Sequence, residues 1–263
     1  MKQLHLSIIV MTCIFATSCN RYYYKPNAVN APLFTDKGQL HCNFAGSTGD
    51  GSGAGNTNFF DLQGAYSPIK HLGIIANYST YSYTPGAPDM VSGNVAAKAY
   101  LAEAGIGGYY PVGEKKFKLV LDIYGGGGLG KLESDVDMKV TRLFMQPGIG
   151  VTSDFFDAGF NMRLTNLRFS DFDANGRDNM YLASHNLIDP NGNRIDNGSF
   201  TFLEPAITIR AGYKFAKVQF QSVFANPISN VYWNHNGARF TVGFYFSVEG
   251  LVDIIREGKT PAN

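Results

Sequence analysis

Hydrophobic and polar residues alternate with a period of two along most of the chain. Phe60 and Leu62, for example, alternate with Asp61 and Gln63. This period places successive side chains on opposite faces of a β-strand. Runs of this kind predict ten strands, near 39–46, 57–67, 71–82, 98–110, 117–131, 141–153, 158–170, 200–213, 217–226 and 239–247.

The connections between these strands alternate in predicted length. Short ones lie at 68–70, 111–116, 154–157 and 214–216, and longer polar ones at 47–56, 83–97, 132–140, 171–199 and 227–238. Bacterial outer-membrane barrels combine short periplasmic turns with long external loops. Because lipid cannot pair backbone groups, such a sheet must close. We therefore predict an all-β fold, a closed antiparallel transmembrane β-barrel of about ten strands, with eight as the alternative.

The N-terminal residues predict export and lipidation. Lys2 precedes an apolar run over 6–16, which suits a signal peptide and is too short to span a bilayer. Small residues then lead into Cys19, an arrangement that resembles the lipobox of bacterial lipoproteins. The resemblance implies cleavage before Cys19, diacylglycerol on its thiol and an acyl chain such as palmitate on its new amine. An ordinary signal peptide cut after Ser18 is the alternative.

Composition narrows the class of protein. The formal charge is +1, and 16% of residues are charged while 14% are aromatic. This balance argues against nucleic-acid binding and against disorder. Cys13 would leave with the signal peptide and Cys19 would be acylated, so Cys42 has no disulfide partner in the mature chain.

The overall pattern resembles that of the small outer-membrane β-barrel superfamily of Gram-negative bacteria, in a variant with a lipoprotein signal. Most such barrels lack a lipobox and end on an aromatic residue, whereas here residues 247–263 follow Phe246. The resemblance implies a signal peptide at 1–18, a periplasmic linker at 19–38, the barrel at 39–247 and a periplasmic tail at 248–263. Both termini would lie in the periplasm, with the lipid anchor in the periplasmic leaflet of the cell outer membrane. A soluble lipoprotein with a β-sandwich or lipocalin-like barrel is the competing fold.

Charged residues on the polar face of the strands are the candidate functional residues. The alternation places four acids and four arginines inside the barrel: Asp61, Glu103, Asp122, Glu204, Arg142, Arg163, Arg210 and Arg239. Four inward glutamines accompany them: Gln63, Gln146, Gln219 and Gln221. Buried charges must be paired, and arginine suits forked contacts with carboxylates. We therefore predict a salt-bridged interior; a narrow polar channel or a ligand site is the alternative.

The sequence offers no convincing catalytic or metal site. Ser184, His185 and Asp189 share the longest loop, but proximity in sequence does not bring a base within about 3 Å of a nucleophile. The spacing from Asp171 partly matches a calcium loop, yet Leu182 stands where a bidentate glutamate is needed. We therefore expect that the protein is not an enzyme and that it binds no metal and no cofactor beyond the lipid on Cys19.

The predicted function is a structural or interaction role among outer-membrane lipids. The protein would present loops or dock to a larger envelope complex. A narrow pore or a binder of small ligands or lipids is the first alternative, and a lipid-modifying barrel enzyme is the second.

Overall fold

The computed structural model describes residues 22–48, 55–85, 96–113 and 116–250. Over these residues the chain forms a closed barrel of ten antiparallel strands, with one further strand outside it. The predicted all-β, closed antiparallel barrel of ten strands is confirmed. The predicted signal peptide, Cys19 and nearly all of the C-terminal tail lie outside the described residues.

The strands follow the chain in order. They are β1 (Leu40–Thr48), β2 (Gly55–Ile69), β3 (Leu72–Pro85), β4 (Ala97–Val112), β5 (Lys118–Glu133), β6 (Asp137–Thr152), β7 (Phe156–Asp173), β8 (Ser199–Tyr213), β9 (Ala216–Phe224), β10 (Asn226–Pro227) and β11 (Ala238–Ser247). β10 pairs with β8 outside the barrel, and β11 lies between β9 and β1. Its pairing with β1, in which Phe44 lies opposite Phe244, closes the sheet.

One predicted connection is wrong. The loop expected at 132–140 shortens to 134–136, because β5 and β6 both continue toward it and pair as far as Glu133 and Asp137. Leu132 and Met138 extend the period of two, with both side chains buried. Long and short connections therefore do not alternate strictly. We call the barrel end with connections 70–71, 113–117, 153–155 and 214–215 the turn end, and the opposite end the loop end.

The connection between β7 and β8 carries the helical structure of the loop end. It contains the helix α1 (Asn179–Ser184) and a 3-10 helix (Ile195–Asn197). Asp178 caps α1 by accepting a hydrogen bond from the Tyr181 N–H over 2.8 Å. Within the described ranges, no helix is both long and apolar enough to cross a membrane.

The alternation in sequence becomes two opposite surfaces of the barrel. Every barrel strand exposes at least one large apolar side chain on the outside: Phe44, Phe60, Ile74, Ile106, Leu121, Leu143, Phe160, Ile207, Phe220 and Phe244. Most side chains between them point inward, and many of these are polar yet buried. A soluble barrel would place its apolar face inward, so the observed arrangement is the reverse of the soluble alternative.

Candidate functional site

The N-terminal segment Tyr22–Thr35, which we call the plug, runs through the inside of the barrel. Tyr23, Tyr24 and residues 26–34 are buried. Contacts to inward side chains of β2, β4, β6, β7, β8, β9 and β11 surround the plug. The prediction of a linker at 19–38 is therefore wrong for residues 22–34, which form part of the barrel's packed interior.

The two ends of the plug lie at opposite ends of the barrel. At the loop end, the Tyr23 N–H donates to the Asn234 carbonyl over 2.9 Å. At the turn end, the ring of Phe34 lies 5.5 Å from that of Tyr109. The Thr35 N–H then donates to Gln39 Oε1 over 2.6 Å, where the chain reverses into β1. The plug therefore spans the lumen from one end to the other.

Six consecutive carbonyl groups of the plug each accept a hydrogen bond from an inward side chain. From Pro26 to Ala31 the donors are Arg239 (3.2 Å), Arg163 (3.0 Å), Gln63 (2.9 Å), Gln221 (2.8 Å), Gln146 (2.8 Å) and Arg210 (2.7 Å). An extended segment without a neighbouring strand would bury unpaired carbonyls, which is costly. The inward arginines and glutamines therefore take the place of a neighbouring strand.

Four of the predicted inward charges form one buried network. Arg142 lies 3.3 Å from Glu103 and 3.0 Å from Glu204, and Arg163 lies 2.7 Å from the same Glu204 oxygen. The side chain of Asn27 joins the network by donating to Glu103 over 2.6 Å and accepting from Arg142 over 2.7 Å. The plug is thus bound through a side chain as well as through its backbone.

Of the two remaining predicted arginines, one pairs with a predicted acid as expected, and the other lies near an acid outside the predicted set. Arg239 and Asp61 form an ion pair at 2.5 Å. Arg210 has no partner among the four predicted acids and lies 3.8 Å from Asp157, which also binds Lys217 over 2.6 Å. Sequence reasoning missed Asp157 because the predicted strand began at 158, one residue too late to include it. Lys217 stood at the first position of the predicted strand 217–226 and was not counted among the inward charges.

Asp122 does not join the predicted salt-bridge network. Its side chain is buried, yet neither carboxylate oxygen has a hydrogen-bond partner among the described residues. The register explains this difference, because Tyr109 and Gly148 are its neighbours on β4 and β6, and neither supplies a cation. The prediction that all eight inward charges pair is therefore wrong at this position.

Glycines make room for the bulky residues at the turn end of the plug. A Cβ at Gly150 would lie 2.6 Å from Leu33 Cδ2, and one at Gly73 would lie 3.0 Å from Phe34 Cε2. Leu33 also adopts a positive φ of 53°, which side chains of its size rarely adopt. Close packing against the barrel wall therefore holds this part of the plug in place.

Loop residues cover the other end of the lumen. Tyr23 belongs to an apolar cluster with Leu182 of α1, Ile195, Phe200 and Trp233. The Tyr23 hydroxyl also donates to Asp135 in the β5–β6 connection over 3.0 Å. The plug is therefore packed beneath a folded cap at the loop end.

The loop residues considered for catalysis do not form a Ser/His/acid triad. Ser184 Oγ lies 3.1 Å from His185 Nδ1, but it donates to the Tyr181 carbonyl over 2.8 Å. Asp189 instead accepts hydrogen bonds from Asn193, and the bond from the Asn193 backbone lowers the pKa of this carboxyl. Among the described hydrogen bonds and ion pairs, none joins Asp189 to His185.

The candidate calcium loop uses its acids for other contacts. Asp171 pairs with Lys139 at 2.6 Å, Asp173 accepts from the Asn175 N–H, and Asp178 caps α1. Across the described part of the chain, no group of three or more His, Cys, Asp or Glu side chains is arranged to hold a metal ion.

A sequence signal for the plug exists, although the strand pattern does not include it. Residues 26–35 carry no charge between Lys25 and Asp36, and they include two prolines. A solvated linker is usually polar, so a ten-residue uncharged stretch favours burial. Nothing in this stretch indicates where it would be buried.

The chain was also compared with known proteins. No protein-family model matches it, and no curated protein matches it significantly.

Proposed function

We propose that this chain is a lipid-anchored β-barrel of the outer membrane of a Gram-negative bacterium, with a structural or interaction role and a lumen closed by its own plug. The observation that carries the proposal is the reversed polarity of the barrel. All ten barrel strands expose large apolar side chains, while charges and amides are buried inside. Lipid is the solvent that suits such an outer face, and a closed sheet leaves no backbone edge in it.

The first test separates a transmembrane barrel from a soluble lipoprotein. Residues 1–19 are replaced by an ordinary cleavable signal peptide, so that the exported chain carries no lipid. A transmembrane barrel stays in the outer-membrane fraction after an alkaline wash and needs detergent for extraction. Release into the soluble periplasmic fraction would reject the membrane-spanning barrel and favour the soluble alternative.

The second test concerns the anchor. The small residues before Cys19 support acylation at its thiol and its amine. Intact mass spectrometry of the purified mature protein should show diacylglycerol and an acyl chain on a polypeptide beginning at Cys19. A chain of unmodified mass would reject the lipid anchor, while leaving the barrel proposal to the fractionation experiment.

The plugged lumen supports an interaction role over transport. The plug occupies the interior, an apolar cluster packs around it at the loop end, and a second cluster of Leu33, Phe34, Tyr109, Tyr124 and neighbours packs around it toward the turn end. Purified protein in a planar lipid bilayer should therefore show no steady conductance. A variant lacking residues 22–35, verified as folded by its heat-modifiable mobility on gels, should conduct. Steady currents from the unmodified protein would favour the pore alternative.

The loop end is the surface that the proposal assigns to interaction. Its described connections pack into a folded cap, and Met180 of α1 is 81% exposed on it. A cross-linked pull-down from detergent-solubilised membranes, comparing the unmodified chain with Met180→Glu, tests docking to an envelope complex. A partner that is lost with the substitution supports docking through this cap. Identical recoveries would reject it.

A further inference from the structure

The direction of the plug decides which membrane leaflet the lipid can reach. β1 begins at the turn end, so the strand pattern alone would place the N terminus there. The plug instead carries the chain from the turn end, at Thr35, back to the loop end, where the Tyr23 N–H binds the Asn234 carbonyl. Tyr24 also pairs with His235 of the same connection. The first described residues therefore lie at the loop end.

The plug is long enough to cross a membrane. An extended chain advances at most about 3.6 Å per residue, so Tyr23 to Phe34 can span up to roughly 40 Å. The hydrocarbon core of a bilayer is about 30 Å thick. The two ends of the plug can therefore lie on opposite sides of the hydrocarbon layer, as the two ends of a membrane-spanning barrel do.

Cys19 cannot return to the turn end. It precedes Tyr22 by three residues, which reach at most about 11 Å when fully extended. That distance is much shorter than the roughly 30 Å hydrocarbon layer. Acyl chains on Cys19 must therefore enter the membrane on the side where Tyr22 and Tyr23 lie.

We infer that the lipid on Cys19 inserts into the outer leaflet at the loop end of the barrel, and that the chain is anchored from the external surface. The inference rests on the proposed function, because it needs an acylated Cys19 and loops that face outward. It replaces the periplasmic leaflet expected from the strand count. The acyl chains would be buried in the external lipid leaflet, beside the barrel wall.

The bonds along the plug explain why this arrangement is stable. Pulling the N terminus back to the turn end would break the six carbonyl contacts from Pro26 to Ala31 and the contacts of Asn27 with Glu103 and Arg142. Each of those inward donors would then lose a hydrogen-bond acceptor inside the barrel, which is costly for a buried group. The contacts of the plug therefore hold the N terminus at the loop end, where the lipid would insert.

Single cysteines in a Cys42→Ser background test the inference on intact cells. Arg21→Cys reports the anchor, Met180→Cys reports the loop end, and Lys116→Cys reports the turn end. Each variant retains Cys19, whose acylated thiol cannot react, and each is checked for barrel folding by heat-modifiable mobility and for acylation by mass. An impermeant maleimide is added before or after cell lysis.

We expect Arg21→Cys to react on intact cells to the same extent as Met180→Cys, while Lys116→Cys reacts only after lysis. Reaction of Arg21→Cys only after lysis, with the other two unchanged, would overturn the inference and leave the proposed orientation intact. Reaction of Lys116→Cys on intact cells with Met180→Cys protected would reject the proposed orientation and the external anchor together. An unacylated mature chain would reject both the lipid anchor of the proposed function and its external location.

Discussion

Gln221 binds both backbone groups of Val29 with a single side-chain amide. Its Oε1 accepts from the Val29 N–H over 2.7 Å, and its Nε2 donates to the Val29 carbonyl over 2.8 Å. This two-point contact is the one a neighbouring strand would make, but it is supplied by a side chain 192 residues away in sequence. It makes the plug part of the barrel's hydrogen-bonded structure.

Gln221→Glu should destabilise the barrel. The substitution keeps the shape and the acceptor of the side chain but removes the donor to Val29 and Thr208, and it buries a charge. A buried group left without its partner costs about 1–3 kcal/mol, and more when charged. The measurement is the temperature at which the heat-modifiable band converts to the unfolded form. Asn58→Asp is the matched control because Asn58 is exposed, and equal losses in both variants would contradict the structural role of Gln221.

Arg163→Ala should lower the unfolding temperature much more than Arg177→Ala. Arg163 is buried, pairs with Glu204 over 2.7 Å and donates to the Asn27 carbonyl over 3.0 Å. Removing one partner of a buried ion pair costs about 3–5 kcal/mol. The Arg177 side chain is exposed, and its guanidinium lies over the ring of Tyr181, 4.6 Å from the ring centroid. Similar losses in denaturant titrations of the two variants would show that the network does not hold the plug.

Gly150→Ala should disturb the plug where Gly64→Ala does not. The added Cβ at Gly150 would meet Leu33 Cδ2 at 2.6 Å and the Ala158 carbonyl at 2.7 Å, whereas a Cβ at Gly64 has nothing within 4 Å. Overpacking of this kind costs typically about 1–3 kcal/mol. Leu33→Ala combined with Gly150→Ala should recover part of the loss, measured as a double-mutant cycle. A purely additive cycle would mean that the plug does not pack against this wall.

Acid should weaken the turn end through Glu249. Burial raises the pKa of Glu249, but the hydrogen bond and charge of His41, 2.6 Å away, outweigh it and hold the pKa below its ordinary value. A lowered folded-state pKa means that the contact contributes stability above the ordinary glutamate value of about 4.3, and that this contribution is lost as the pH falls through the lowered pKa. The unmodified protein should therefore lose more stability on acidification than Glu249→Gln.

The unfolding temperature measured from neutral pH to about pH 3 checks this acid dependence, across the region where glutamate titrates. Asp36→Asn removes an exposed acid near the same end and serves as the control. Parallel curves for all three proteins would contradict a contribution from the contact between Glu249 and His41.

The sequence by itself determined the ten strands and the face of each side chain. The period of two is a local property of an extended chain, so it can be read without knowledge of the partner strand. It placed Phe60 and Leu143 outside and Arg142 and Glu204 inside, as the structure has them. Its weak point was the strand ends, where Asp157 and the short 134–136 connection were misjudged.

Only the tertiary structure decided the contents of the lumen and the direction of the N terminus. The partners of residues 26–31 lie between Gln63 and Arg239 and meet only after the strands have closed. Which inward charges pair depends on register and on distances across the barrel. Arg142 therefore reaches Glu204 on a strand that does not neighbour its own, whereas the Asp122 carboxylate has no hydrogen-bond partner among the described residues. Alternation fixes the face of a side chain because that follows from local backbone geometry. The path of the plug depends on pairing its buried carbonyl groups, and the donors that pair them come together only in the closed barrel.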